Sequence, residues 1–239
     1  MFVPIHDDNK LKDIPFQYVT LLLIALNVAV FLVQSSGMSI GVVASFGIVP
    51  KELIEVRYIG GPAFGENDLF AIPEIYTLVS YMFFHGDVLH LLFNMMFLWV
   101  FGDNVEDAVG HFKFLMFYLL CGIVAGIVHT QMSPDSGRPL IGASGAVAGV
   151  IAAYFMLHPR VLVWVLIFRF IPIRISAALA LGGWIVLQFV MVYLSQIGVQ
   201  KGPVAWWAHI GGLIAGAILI LFMRRRGVAL FDQDLKAPS

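Results

Sequence analysis

Charge is what this sequence has least of. Asp, Glu, Lys and Arg make up 12% of its 239 residues, against about 25% in ordinary soluble domains. So few charges cannot furnish the polar shell of a water-soluble fold. The formal net charge is −1, which argues against a nucleic-acid partner, since such partners are bound by basic patches. A single cysteine, Cys121, permits no internal disulfide and excludes a disulfide-built secreted scaffold. There is no low-complexity tract and no convincing internal repeat, which weakens a transporter built from inverted halves. The first apolar stretch has no basic start and no small-residue cleavage site, so no signal peptide is expected.

What the chain does have is apolar surface. Hydrophobic residues make up 60% of it and the mean hydropathy is +0.90. The lipid bilayer is therefore much of its solvent. A spanning helix needs about 20 apolar residues. Six stretches qualify as candidates: Phe16–Val33, Val88–Gly102, Phe114–Met132, Leu140–His158, Ile175–Gln196 and Val204–Met223. The expectation is an all-α, six-span polytopic bundle over residues 16–223. A short cytoplasmic segment, 1–15, precedes it and a basic cytoplasmic tail, 224–239, follows.

Lys and Arg divide unevenly between alternate sides. Ten (Lys10, Lys12, Lys113, Arg160, Arg169, Arg174, Arg224, Arg225, Arg226 and Lys236) fall on one side, and four (Lys51, Arg57, Arg138 and Lys201) on the other. The bias puts both termini in the cytoplasm. Gly37–Thr77, with Phe46, Ile48, Phe64 and Phe70 among charges and glycines, reads as a long outer loop partly submerged at the interface. Arg160–Arg174 encloses the apolar run Val161–Phe168, too short to cross, and reads as an interfacial piece on the cytoplasmic side. Val88–Gly102 is only fifteen residues, about 22 Å of helix, so this span is not expected to cross alone.

Polar side chains at membrane depth are functional candidates. In the first cluster, Asp87 suits an N-cap, and His90 and Asn94 then lie one turn apart on one helix face. His85 precedes the cap and reads as a loop anchor. The plainer alternative for His90 and Asn94 is a polar pair joining two helices. In the second cluster, Gly142-Ala143-Ser144-Gly145, Ser144 falls at a helix N-terminus, where free N–H groups favour a developing anion. Gly145 and Gly149, like Ala148 and Ala152, mark a face that admits very close helix contact. A capping serine in a small-residue packing helix is the plainer reading there. In the third, Ala208, Gly212 and Gly216 form a stripe beside His209. Two such faces pressed together would bring the Ser144 hydroxyl within about 3 Å of the imidazole, as a nucleophile and its base require. Asp87, Ser144 and His209 all fall at the outer ends of their spans.

Together these residues resemble the rhomboid family of intramembrane serine proteases. The resemblance covers about Phe16 to Met223. It rests on H-x4-H-x3-N (His85, His90, Asn94), GxSG (Gly142, Ser144, Gly145) and AH-x2-G-x3-G (Ala208, His209, Gly212, Gly216), with Phe101–Asp107 similar to the family's helix end. It implies a Ser–His dyad, with Ser144 as nucleophile and His209 as base. It further implies oxyanion binding by His90, Asn94 and the Ser144 N–H, and a structural role for Glu106. No metal or cofactor is implied. The implied partners are single-pass transmembrane substrates in the bilayer, cut near their outer juxtamembrane end. The absence of a large soluble domain and of a targeting peptide suggests a plasma membrane, with the active site opening to the outer face.

Two places depart from the family pattern. Tyr76-Thr77 stands where Trp-Arg is common. Ala148 stands where an aromatic residue often packs beneath the histidine, which leaves Trp184, Trp206 or Trp207 to orient His209. Rival readings have less to rest on. No HExxH helix is present, and His85 and His90 are five apart, off the spacing of a zinc-binding pair. Asp103 and Asp107 read as a solvated helix terminus rather than an aspartyl-protease pair. A small transporter or a catalytically silent rhomboid-like binder remains the alternative.

Overall fold

The computed structural model describes residues 3–37, 40–56, 68–70, 72–167, 170–199, 202 and 204–233. In chain order the elements are β1 (Val3–Asp7), α1 (Tyr18–Ser35), α2 (Ile40–Phe46), α3 (Pro50–Ile54) and α4 (Glu74–Ser80), which runs into a 3-10 turn at Tyr81–Phe83. Then come α5 (Val88–Val109), α6 (His111–Met132), α7 (Ser144–Leu157), β2 (Leu162–Ile167), β3 (Ile171–Ser176), α8 (Ala177–Gln196) and α9 (Trp206–Met223).

Among the described residues, five helices, α1, α5, α6, α8 and α9, are long and apolar enough to cross a membrane. The fourth apolar stretch, Leu140–His158, yields α7, only 14 residues, or about 21 Å. The short helix is therefore α7 and not α5, reversing the expectation. The α5 helix continues past Gly102 to Val109 for 22 residues, or about 33 Å. It survives its acidic end because those carboxylates are satisfied. Asp107 accepts backbone N–H bonds from Lys12, Asp13 and Ile14 at 2.9, 2.7 and 2.7 Å. Glu106 accepts from the Val19 and Thr20 N–H groups at 3.0 and 2.8 Å and from the Thr20 hydroxyl at 2.7 Å. It thereby caps the first turn of α1, whose own N-cap Gln17 makes no such bond. Asn104, Glu106 and Asp107 are buried. The solvated terminus expected there is instead a packed joint between α5 and the N-terminal segment.

The all-α expectation also needs correction. Arg160–Arg174 contains the start of an antiparallel hairpin, β2 with β3, and β1 from the N-terminal segment adds to it in the order β1-β2-β3. The period is two: Val163 and Val165 are buried, while Leu162 and Trp164 between and beside them are partly exposed. Asp7 from β1 reaches the Tyr154 hydroxyl on α7, so the sheet is tied to the bundle. After α9 the tail folds back. The Arg225 N–H bonds the Ala108 carbonyl at 2.8 Å, and the Phe231 and Asp232 N–H groups bond the Met156 and Leu157 carbonyls at 2.7 and 3.0 Å. Those last two bonds satisfy carbonyls left free at the C-terminal end of α7.

The long connection between α1 and α5 holds α2, α3 and α4. Ile48, fully buried, pairs its backbone with Leu140, N–O 3.0 and 2.7 Å. Phe46 stacks on Phe84 at 5.0 Å, and Phe70 is half exposed. Arg57, Phe64, Phe168, Arg169, Lys201 and Lys236 lie outside the described residues. The centre of the bundle is α6, α7 and α9, joined through small residues. A Cβ added at Gly145 would strike Ala125 of α6, and one at Gly216 would overlap the Gly149 backbone. Large apolar side chains such as Leu22, Leu32, Val186, Phe189 and Phe222 point outward instead. That surface suits hydrocarbon rather than water.

Candidate active site

The approach to Ser144 is built from backbone that only glycine tolerates. Gly142 has φ +123°, in the region L side chains avoid. A Cβ there would lie 2.7 and 2.8 Å from Cε1 and Nε2 of His90. The backbone before Ser144 is thus pressed against the His90 ring. It is held from below, since the Gly142 N–H donates to the Tyr81 carbonyl at 2.9 Å and the Ala143 N–H donates to Nε2 of His85 at 3.4 Å. His85 is fully buried, and its backbone is clasped by the Gln34 side chain at 2.7 and 3.2 Å. Burial, with His90 beside it, pushes the His85 imidazole down to about 4, so it stays neutral and can accept the Ala143 N–H.

Helix α7 then starts at Ser144 and meets α9 with almost no side chain between them. A Cβ at Gly212 would collide with the Gly145 carbonyl. This contact brings Ser144 Oγ to 2.9 Å from His209 Nε2. The two residues are 65 positions apart in the chain, and the hydrogen bond has ordinary length. His209 is buried, whereas Ser144 keeps partial exposure.

The other side of the imidazole is held by a residue that sequence reasoning missed. His209 Nδ1–H donates to Oε1 of Gln188 on α8 at 2.8 Å, and Gln188 Nε2–H donates in turn to the Trp184 carbonyl at 3.0 Å. The Trp184 ring lies 5.9 Å from the imidazole at 36°, and the Trp206 ring meets it edge-on at 5.9 Å and 88°. Trp207 makes no such ring contact among the described residues. Ala148 shares a buried apolar cluster with Ile210 and Leu213, against which these tryptophans pack. A signal for Gln188 was available: it is an uncharged polar residue inside an apolar span, the criterion that picks out Asn94.

Asp87 caps α5, accepting the His90 N–H at 2.8 Å. His90 is partly buried, its ring edge-on to His85 at 5.1 Å, with Nδ1 accepting the Gly86 N–H at 3.4 Å. Asn94 is buried and its amide donates to the His90 carbonyl at 3.0 Å. The structure therefore joins Ser144 directly to His209 and sets His90 against the Gly142 backbone. Asn94 is recorded bonded within its own helix. Glu106 lies far along α5 at the α1 joint. Among the described residues no three His, Cys, Asp or Glu side chains gather as a metal-ligating group.

Comparison with known proteins places the chain in a family. The Rhomboid domain family model matches residues 73–226. The rhomboid protease GlpG of Haemophilus influenzae is 30% identical over 138 residues, covering 58% of this chain and 62% of that protein. The rhomboid protease GluP of Bacillus subtilis is 40% identical over 93 residues, 38% of this chain and 18% of that protein. Rhomboid-like protein 11, chloroplastic, of Arabidopsis thaliana is 28% identical over 176 residues, 70% of this chain and 59% of that protein. The match thus spans less than two thirds of each relative's own length. With a family model covering more than half of its residues, this chain, a helical membrane protein, belongs to the rhomboid family.

Proposed function

We propose that the protein is an intramembrane serine endopeptidase that cleaves single-pass transmembrane proteins through an acyl-enzyme. The observation carrying this reading is the 2.9 Å bond between Ser144 Oγ and His209 Nε2. In the first step Ser144 Oγ attacks the scissile carbonyl carbon while its proton passes to His209 Nε2. The imidazolium then gives that proton to the leaving amine. Water, deprotonated by His209, attacks the ester and releases the acid and free Ser144. The oxyanion is met by the Ser144 N–H, free at the start of α7, and by His90 and Asn94 from α5. An amide carries two N–H hydrogens, so the one not engaged with the His90 carbonyl is free to turn toward the substrate.

The five long helices and α7 serve as six spans, with residues 16–223 as the membrane domain. Lys and Arg concentrate at the end opposite Ser144, which supports cytoplasmic termini and an active site opening toward the outer face of a plasma membrane. Water for deacylation enters from that face. Substrates with small or helix-breaking residues near the cut suit this chemistry, because a regular helix hides its carbonyls in its own hydrogen bonds.

The test is labelling of purified protein with a fluorophosphonate probe, followed by mass-spectrometric mapping of cuts in a panel of single-pass membrane peptides. Wild type should label and cleave. Ser144→Ala and His209→Ala should insert and fold but do neither. Labelling that persists in Ser144→Ala would put the nucleophile elsewhere and overturn the dyad, and a wild type that neither labels nor cuts would overturn the proposal in favour of a catalytically silent binder of transmembrane clients.

A further inference from the structure

Gln188 sits in α8 between Leu187 and Phe189 and is 1% exposed. A buried amide is costly unless both ends are bonded, and here both are. The Trp184 carbonyl can only accept, so its bond from Nε2–H decides which end of the amide faces the imidazole. An amide oxygen can likewise only accept, so the 2.8 Å contact at His209 requires the hydrogen on Nδ1. A neutral imidazole protonated on Nδ1 carries its lone pair on Nε2, the atom 2.9 Å from Ser144 Oγ.

We infer that Gln188 is a positioning residue: it selects the Nδ1–H form of His209 and aims the basic nitrogen at Ser144. This rests on the serine-peptidase reading above. Gln188 occupies the place that a carboxylate holds in Ser-His-Asp triads. A carboxylate buried this deep would carry a heavy desolvation cost. The amide supplies a directional acceptor with no net charge. No proton reaches Gln188 during the cycle. When Ser144 transfers its proton to Nε2, the Nδ1–H stays on His209, and the Gln188 oxygen faces the new imidazolium. Trp184 adds to the same restraint from one turn of α8, its carbonyl holding the amide and its ring flanking the imidazole.

The experiment compares wild type, Gln188→Leu and Gln188→Glu as full-length protein in detergent, reading the rate of fluorophosphonate labelling across pH, the unfolding temperature, and 15N shifts of His209. Gln188→Leu keeps the volume and removes the acceptor. It should slow labelling about 10- to 100-fold, the scale of a misaimed reacting group, and lower the unfolding temperature by no more than one unpaired buried donor does. Gln188→Glu should recover labelling at least about tenfold over the leucine variant. It should also move the acid limb of the pH profile upward, because an anion beside the ring retains its proton. The 15N shifts should put the hydrogen on Nδ1 in wild type and show mixed tautomers in Gln188→Leu. Should Gln188→Leu fail to fold, the glutamate profile and the wild-type 15N shifts still decide. Gln188→Leu labelling like wild type with an unmoved pH profile would overturn the inference, as would a wild-type proton on Nε2. A wild type that shows Nδ1–H but never labels would instead sink the peptidase reading and leave the tautomer assignment standing.

Discussion

Gly212 of α9 lies so close to the carbonyl of Gly145 in α7 that a single added carbon would overlap it. Ser144 is the residue before Gly145 and His209 is one turn before Gly212. The spacing of the two backbones therefore sets the spacing of hydroxyl and imidazole.

Gly212→Ala should separate the two helices. Overpacking of this kind costs about 1–3 kcal/mol, and misplacing a reacting group by about 1 Å can cost on the order of 100-fold in rate. The expected outcome is a lower unfolding temperature together with at least about tenfold slower fluorophosphonate labelling. A variant that labels at the wild-type rate would show that the contact does not set the dyad.

Asn94→Ala removes one proposed oxyanion donor while leaving Ser144 and His209 paired. One preorganised donor contributes about 100- to 1,000-fold in kcat. Cleavage should fall by that order and remain above the level of Ser144→Ala. Because the Asn94 amide also bonds the His90 carbonyl, the unfolding temperature should be recorded beside the rate.

Glu106→Ala strips the acceptor from the Val19 and Thr20 N–H groups and from the Thr20 hydroxyl, and removes the partner of His111. Each buried donor left unpaired costs about 1–3 kcal/mol. The protein should unfold at a clearly lower temperature. Glu106→Gln keeps one accepting oxygen and should lose less. Equal losses for both would mean that charge, not the capping of α1, is what matters.

Asp7 gives the chain a pH signature outside its spans. Burial raises its carboxyl to about 6, opposed by the bond from the Tyr154 hydroxyl and by nearby His6. A folded-state value above the unfolded one favours the protonated form. Its stabilising contribution is therefore complete below about pH 4 and is lost as pH rises through 6. Asp7→Asn stays neutral throughout. It should match wild type at pH 4 and exceed it at pH 8 by up to about 3 kcal/mol, read as unfolding temperature. The same difference at both pH values would refute the assignment.

The helix start at Val88 and the cap at Asp87 were legible because they depend on neighbours one to four residues away. The glycines of α7 and α9 were legible for the same reason, since a four-residue spacing marks one face whatever that face later meets. The end of α5 was not. Asp103–Asp107 looks like a solvated terminus until Lys12–Ile14 and Val19–Thr20, more than eighty positions earlier, arrive with N–H groups to bond. The hairpin at β2 and β3 was masked in the same way. Leu162–Val165 is apolar at every position, so its alternation of buried and exposed residues does not show in the residue types, and the run reads as an interfacial segment until β1 supplies the third strand.

From composition and local spacing alone follow the membrane environment, the apolar stretches that become helices, and the small-residue faces flanking Ser144 and His209, because hydropathy and helical period are properties of consecutive residues. Only the tertiary structure decides that Gln188 bonds the far side of the imidazole, that Glu106 caps a helix other than its own, and that the N-terminus completes a sheet. Those are pairings of buried polar groups, and which donor meets which acceptor is not settled until distant segments pack and exclude the solvent that would otherwise satisfy both.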